Sequence, residues 1–444
     1  MSTSLSGEVA YTVLWMLVAG VLLFSLVLVQ APVLLGDDPS AAAAALTQAP
    51  FVLAICALAM RKGQWRASTG MLLAMGYVGL LIVAAFRASY FGTITTNFAI
   101  FQAIQFSLIA TLAAFAFLRD SRPFARRRYL LALCWAPAAY VAVNVLLHFA
   151  GYDPPGLVEP EKGYEAIVLN LLGISSQRVV FPMTAGFNGM APTAAIAFAV
   201  SVLFALRGQH RKLAILGATA SLYAMLATDS RGALLVAPLA VAVVVFTPRI
   251  HKRRFGWFAV ALPVLPVLLA LALATTADTP GAKFDRFSGS ISTGTVRTIV
   301  WEEALALLSE PRLDHIFGYG QQGQVASGVS VGYAPLFGNG PDVLSVSVHN
   351  VVLQTALDMG WVGVACLIAV AAVMLTGLAR GAGDPVYAAL LAGTLAILFL
   401  GTVQASPTPY HPDSFAWWLM VVFGAVRLRE LKGEARALQR ARPS

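Results

Sequence analysis

The sequence predicts an all-α polytopic membrane protein of about twelve transmembrane helices, with a small subdomain on one face that carries an amphipathic helix. Three observations predict it. Hydrophobic residues make up 58% and charged residues 11% of the chain, with a mean hydropathy of +0.76, the composition of a chain that lives in lipid. Apolar stretches of about 20 residues, the length that crosses a bilayer, follow one another along most of it. Alternate connections between those stretches are basic, as cytoplasmic loops are.

The stretches run at 11–35, 41–60, 69–87, 97–118 and 128–150, then at 190–207, 212–228, 231–248 and 256–276, and finally at 350–378, 385–404 and 413–428. The first has no small-residue cleavage site and is too long for the apolar region of a signal peptide, so it is expected to be retained. Of the 30 Lys and Arg residues, 22 fall in one set of connections: Arg61 to Arg66, Arg119 to Arg128, Arg207 to Lys212, Arg249 to Arg254, Arg380 and the tail from Arg427. The other set holds eight: Arg87, Lys162, Arg178, Arg231, Lys283, Arg286, Arg297 and Arg312. This sorting predicts both termini in the cytoplasm. Residues 1–276 then carry nine helices and an outer loop at 151–189, residues 277–349 form the outer subdomain, 350–428 the last three helices, and 429–444 a basic cytoplasmic tail.

The net charge of +9 does not indicate a nucleic-acid partner, because the cations are dispersed in short loops that sit against anionic headgroups. Cys56, Cys134 and Cys366 all lie inside apolar stretches without CxxC spacing, so neither a disulfide framework nor a thiolate metal site is predicted.

Function is sought among the eight outer cations, since each opposes the usual charge bias and can be kept there to hold an anion. In the subdomain, Val296 to Leu308 keeps a helical period through Val296, Ile299, Val300, Ala304 and Leu307, with Glu302 and Glu303 facing away. This helix is expected to lie flat over the outer mouth of the bundle. Ser292 to Thr295 offers its N-cap, which places Arg297 in the first turn, where a cation opposes the helix dipole. Free N–H groups there favour an anion, so Arg297 either completes a phosphate cradle or snorkels to water or stacks on Trp301.

His349 begins the tenth span. A helix N-terminus disfavours imidazolium, and a neutral imidazole can serve as a general base or simply as a polar interfacial anchor. His148, His315 and His411 also fall on the outer side, and periodicity does not rank the four. Arg231 lies in the short turn Thr228-Asp229-Ser230-Arg231-Gly232, where Asp229 can neutralise it. Phe317-Gly318-Tyr319-Gly320 and the glycines after it lack the ending of a nucleotide-binding loop and are expected to form a mobile cover over a substrate groove.

Two other readings compete. Asp37-Asp38 in the first outer loop could hold a divalent cation, although no further ligand stands at a suitable spacing. Twelve spans also suit a transporter, but no internal repeat is visible and Asp358 is the clearest ionisable group deep in a span.

The ordered set Ser230-Arg231-Gly232-Ala233, Arg297 with Trp301, Pro311, Gly318-Tyr319-Gly320 and His349-Asn350 followed by Gly360 and Gly363 resembles the O-antigen ligase and polymerase family. The resemblance covers most of the second half of the chain. It implies a bacterial inner-membrane glycosyltransferase, working on the periplasmic side without cofactor or metal. Such an enzyme takes a glycan from undecaprenyl pyrophosphate and joins it to a hydroxyl of lipid A-core or of a growing chain. It further implies His349 as the group that activates the acceptor hydroxyl, Arg231, Arg297 and Arg178 as pyrophosphate ligands, and Asn350, Trp301, Asn188, Gly318, Tyr319 and Gly320 as supporting residues. The stretch Thr184-Ala185-Gly186-Phe187-Asn188-Gly189 departs from the family's Pro-Asn pattern after the Arg178 position. A ligase is expected, with an O-antigen or exopolysaccharide polymerase next and a transporter or flippase of lipid-linked glycans after it.

Overall fold

The computed structural model describes residues 41–60, 69–119, 123–152, 166–246, 295–336 and 344–426, apart from 172, 185 and 413, and several positions between 11 and 20. Among these residues the regular elements are helices and no strand is formed. In chain order they are α1 (Ala41–Ala59), α2 (Thr69–Tyr90), α3 (Thr96–Ala114), α4 (Pro123–Phe149), α5 (Ile167–Leu171), α6 (Gly186–Leu206), α7 (Arg211–Ala227) and α8 (Arg231–Phe246). There follow α9 (Thr295–Ser309), the single turns α10 (Asp314–Phe317), α11 (Gly323–Ala326) and α12 (Ser330–Tyr333), then α13 (Val351–Gly381), α14 (Pro385–Leu400) and α15 (Ser414–Val426).

Five helices are long and apolar enough to cross a membrane: Thr69–Tyr90, Thr96–Phe117, Arg126–Phe149, Gly189–Leu206 and Val351–Gly381. Leu46–Ala59, Arg231–Phe246, Pro385–Leu400 and Ser414–Val426 are shorter apolar helices. The chain is a multi-pass membrane protein, with five such spans among the described residues where the sequence predicts twelve in all. The expected span at 256–276 and the tail at 429–444 lie outside the described residues, as does most of 11–35. The expected outer helix is present as α9, two residues longer than the pattern indicates, while 277–294 and 337–343 of the outer segment lie outside the described residues.

The core is built around α6, which packs on α4, α7, α8 and α14. Its run from Ala194 to Ala197 is fully buried; in a lipid solvent, close approach of small residues is what drives helices together. At Gly377 of α13 a Cβ would stand 2.4 Å from the Ala425 carbonyl of α15, so those two backbones touch. Caps fix the helix starts: Asn350 accepts from the N–H of Val352 and Leu353, and Asp384, ahead of Pro385, accepts from Val386.

The long helix α13 is broken at Gly360 (φ 69°). The segment after α10 wedges into the break: the N–H of Tyr319 donates to the Leu357 carbonyl at 2.7 Å and that of Gly320 to the Asp358 carbonyl at 2.9 Å. Carbonyls released by the kink are thereby satisfied within a buried setting. Two ion pairs mark the two ends of the bundle. Arg127 meets Asp384 at 3.3 Å among the basic connections, and Arg87 meets Asp314 at 3.1 Å among the sparse ones.

Candidate functional site

At the end of the bundle marked by Arg87 and Asp314, the turn between α7 and α8 is tight and internally bonded. The Thr228 hydroxyl donates to the Ala224 carbonyl at 2.8 Å and contacts the Ser230 hydroxyl at 2.8 Å. Asp229 takes a left-handed backbone (φ 52°). Its buried carboxylate accepts from the N–H of Val168 through Oδ1 at 3.1 Å, while Oδ2 lies 3.5 Å from Nε of Arg231. Arg231, the first residue of α8, remains 47% exposed, so the ion pair with Asp229 does not cover the guanidinium. Arg178 docks on the same turn, with Nε donating to the Thr228 carbonyl at 3.0 Å and the N–H of Val179 to the Ala227 carbonyl at 2.8 Å.

A second group of elements delivers the imidazole. His349 immediately precedes the N-cap Asn350 and has a left-handed backbone (φ 51°), a conformation that costs a residue with a side chain about 1–2 kcal/mol. The surroundings hold it there. Val348 donates its N–H to Oε1 of Gln354 at 3.0 Å and accepts the indole N–H of Trp301 at 2.8 Å. Asn350 donates to the Thr402 carbonyl at 3.1 Å, and the N–H of Val351 donates to the Gly401 carbonyl at 2.9 Å. The loop after α14, which carries His411, is thus stapled to the start of α13.

Arg297 stands in the first turn of α9, one turn before the buried Trp301. Burial, with the Arg231 charge adding to it, lowers its pKa from the ordinary guanidinium value. Burial first, then the charges of Arg297 and His411, push His349 down to about 3. Burial takes His411 down to about 4. At neutral pH the two imidazoles are therefore uncharged, His349 beside the Arg297 guanidinium, which stays cationic. An anion held by those guanidiniums would remove the repulsion that a protonated His349 feels and so raise its basicity.

The structure brings Arg178, Arg231, Arg297, Trp301, His349 and Asn350 to one site, and the sequence named all six. His411 joins them; the sequence had left it unranked among four histidines. His148 packs instead against Phe149, Phe181 and Tyr223, and His315 is buried against Tyr319. Gly318, Tyr319 and Gly320 are buried, and the N–H groups of Tyr319 and Gly320 are bonded to α13. They do not form the expected cover, because the glycines on either side of Tyr319 let the strap press against the α13 and α2 backbones at the kink. Asp358 accepts from Gly323 and Gln354, a hydrogen-bonded packing role. Gln354, Gln324 and Tyr410 went unnoticed, since polar residues without charge leave no pattern in an apolar stretch.

Asn188 lies in the first turn of α6, with its side chain outside the described residues, and Asp37-Asp38 lies outside them entirely. Among the described residues no three His, Cys, Asp or Glu side chains stand together as metal ligands would. Residues 216–368 match the model of a protein family described as O-antigen ligase. The match takes in Arg231, Arg297, Trp301 and His349 and leaves out Arg178 and Asn188. A comparison with curated proteins finds no match.

Proposed function

We propose, from the match of residues 216–368 to the family model described as O-antigen ligase, that the chain is a ligase-type glycosyltransferase. It transfers a glycan from undecaprenyl pyrophosphate to a hydroxyl of lipid A-core on the periplasmic face of the bacterial inner membrane, with both termini cytoplasmic. The observation that carries this reading is the meeting of Arg231 and Arg297 with a neutral His349 at one end of the bundle.

The donor pyrophosphate lies on Arg231 and Arg297, with Arg178 beside them on the Thr228 carbonyl. Guanidinium suits this task because its planar donors contact phosphate oxygens in pairs. The acceptor hydroxyl is held by His349. As its oxygen bonds to the anomeric carbon, the bond from that carbon to the pyrophosphate oxygen breaks on the opposite side and the configuration inverts. The electron pair leaves with polyprenyl pyrophosphate, whose charge the fixed guanidiniums stabilise. The hydroxyl proton passes to His349. No metal is needed to balance the leaving charge, and turnover is expected to persist in EDTA.

Transport is the weaker reading, because the ionisable Asp358 and the break at Gly360 are both filled by the Tyr319 to Gly323 strap. The test is the gel profile of lipopolysaccharide from a strain lacking the gene, complemented with wild type or His349→Ala. Loss of every O-chain band with accumulation of lipid-linked polymer supports the ligase, and core bearing one repeat unit indicates a polymerase. An unchanged ladder, or full complementation by well-expressed His349→Ala, overturns the reading.

A further inference from the structure

The left-handed turn at His349 is adjoined by one side chain that reaches α11, α13 and the loop after α14. Gln354 lies one turn into α13 and is fully buried. Its Oε1 accepts the N–H of Val348 at 3.0 Å. Its Nε2 faces Oδ1 of Asp358 at 2.8 Å, Oε1 of Gln324 at 2.9 Å and the phenol oxygen of Tyr410 at 2.9 Å.

The orientation of this amide is dictated by its neighbours. The backbone N–H of Val348 can only donate, and Asp358 Oδ1, which accepts the N–H of Gly323 at 2.9 Å, accepts from Gln354 as well. Gln354 must therefore turn its NH2 toward Asp358 and its carbonyl toward Val348. Tyr410 donates to Gln324 Oε1 at 2.9 Å, which leaves its oxygen lone pairs for Gln354. Gln324 in turn donates to the Ser345 carbonyl at 3.0 Å. One amide thus ties the residue before His349 to the residue before His411, and does so across α11, α13 and the loop after α14.

We propose that Gln354 is the positioning residue of this site, holding His349 toward the arginines and His411 toward His349, an inference that rests on the glycosyltransferase reading above. Gln354 touches no substrate. It acts through the backbone of Val348 and through Tyr410, and Asp358 serves as its anchor. A buried polar hub with every partner engaged specifies one geometry, and a hub with one partner removed leaves the others unsatisfied.

The experiment is steady-state turnover of the purified full-length protein in detergent, with a lipid-linked glycan donor and lipid A-core acceptor. Gln354→Met keeps the length of the side chain and removes its hydrogen bonds. It is expected to lower kcat by about ten- to a hundredfold, as a displaced reacting group does, and to lower the melting temperature because buried partners are left unsatisfied, while KM for the donor stays near wild type. Gln354→Glu sets acceptor against acceptor and should be as impaired. Tyr410→Phe removes one hydroxyl from the hub and should lower kcat by about three- to tenfold.

Wild-type kcat in Gln354→Met overturns the proposal, as does a loss of kcat accompanied by an equal rise in KM for the donor, which a positioning role for His349 would not produce. If Gln354→Met fails to fold, wild-type kcat in Tyr410→Phe overturns it instead. His349→Ala assayed in parallel separates the two readings. Turnover by that variant removes the functional assignment, whereas an inactive His349→Ala beside a normal Gln354→Met removes only the positioning role.

Discussion

Trp301 donates its indole N–H to the Val348 carbonyl at 2.8 Å, and this bond ties the helix bearing Arg297 to the residue before His349. The cation and the imidazole come from elements about fifty positions apart, and both are set from the same point. Because Trp301 is 1% exposed, nothing from solvent can replace its bond.

Trp301→Phe keeps an aromatic ring and deletes the donor. A buried carbonyl left with one partner fewer costs about 1–3 kcal/mol, so a lower melting temperature in detergent is expected, together with slower transfer as α9 loosens from the His349 loop. Unchanged melting and turnover would show that the bond places nothing.

Asp229→Asn keeps an oxygen for the N–H of Val168 and removes the negative charge beside Arg231. A partly exposed ion pair contributes about 1 kcal/mol or less, so inhibition by inorganic pyrophosphate should tighten by up to about fivefold. Weaker inhibition would mean that Asp229 orients Arg231 for the anion more than it competes with it.

Two glycines of the outer segment make a contrast in stability. Gly320 has a positive φ of 89°, and a Cβ there would stand 2.2 Å from the backbone nitrogen of Ala88, whereas Gly328, also at positive φ, faces open space. Gly320→Ala should unseat the strap from α2 and α13 and abolish a monodisperse peak in size-exclusion chromatography. Gly328→Ala should cost only the backbone term of about 1–2 kcal/mol.

Acid should destabilise the protein through its two site imidazoles. Burial holds His349 at about 3 and His411 at about 4, against 6.5 for an unperturbed histidine. Between those values the unfolded chain binds protons that the folded one refuses, so this contribution to stability is intact above about pH 6.5 and declines as pH falls toward about 3. Melting temperatures across that window should fall with acid in wild type and fall less steeply in a His349→Gln/His411→Gln variant. Equal slopes would place both rings in water.

Much of the site was legible because charge in an apolar chain is conspicuous. Arg178, Arg231 and Arg297 stood out as outer-side cations, and His349-Asn350 as a helix start. Tyr319 and its flanking glycines were also visible, but as a loop, since composition does not reveal that a strap fills a kink forty residues later. His411 was indistinguishable from His148 and His315 until α14 turned back and Thr402 met Asn350.

By itself the sequence determined the membrane class, the helical content, the segregation of positive charge and the short roster of cations and imidazoles, because each follows from local hydropathy and from the cost of leaving a charge in the wrong place. Tertiary structure alone decided which histidine faces His349, that Gln354 is the hub between them, and that Asp358 anchors an amide. Those outcomes depend on hydrogen-bond partners drawn from α11, α13 and the loop after α14, and a buried amide acquires its orientation only from the neighbours that packing supplies.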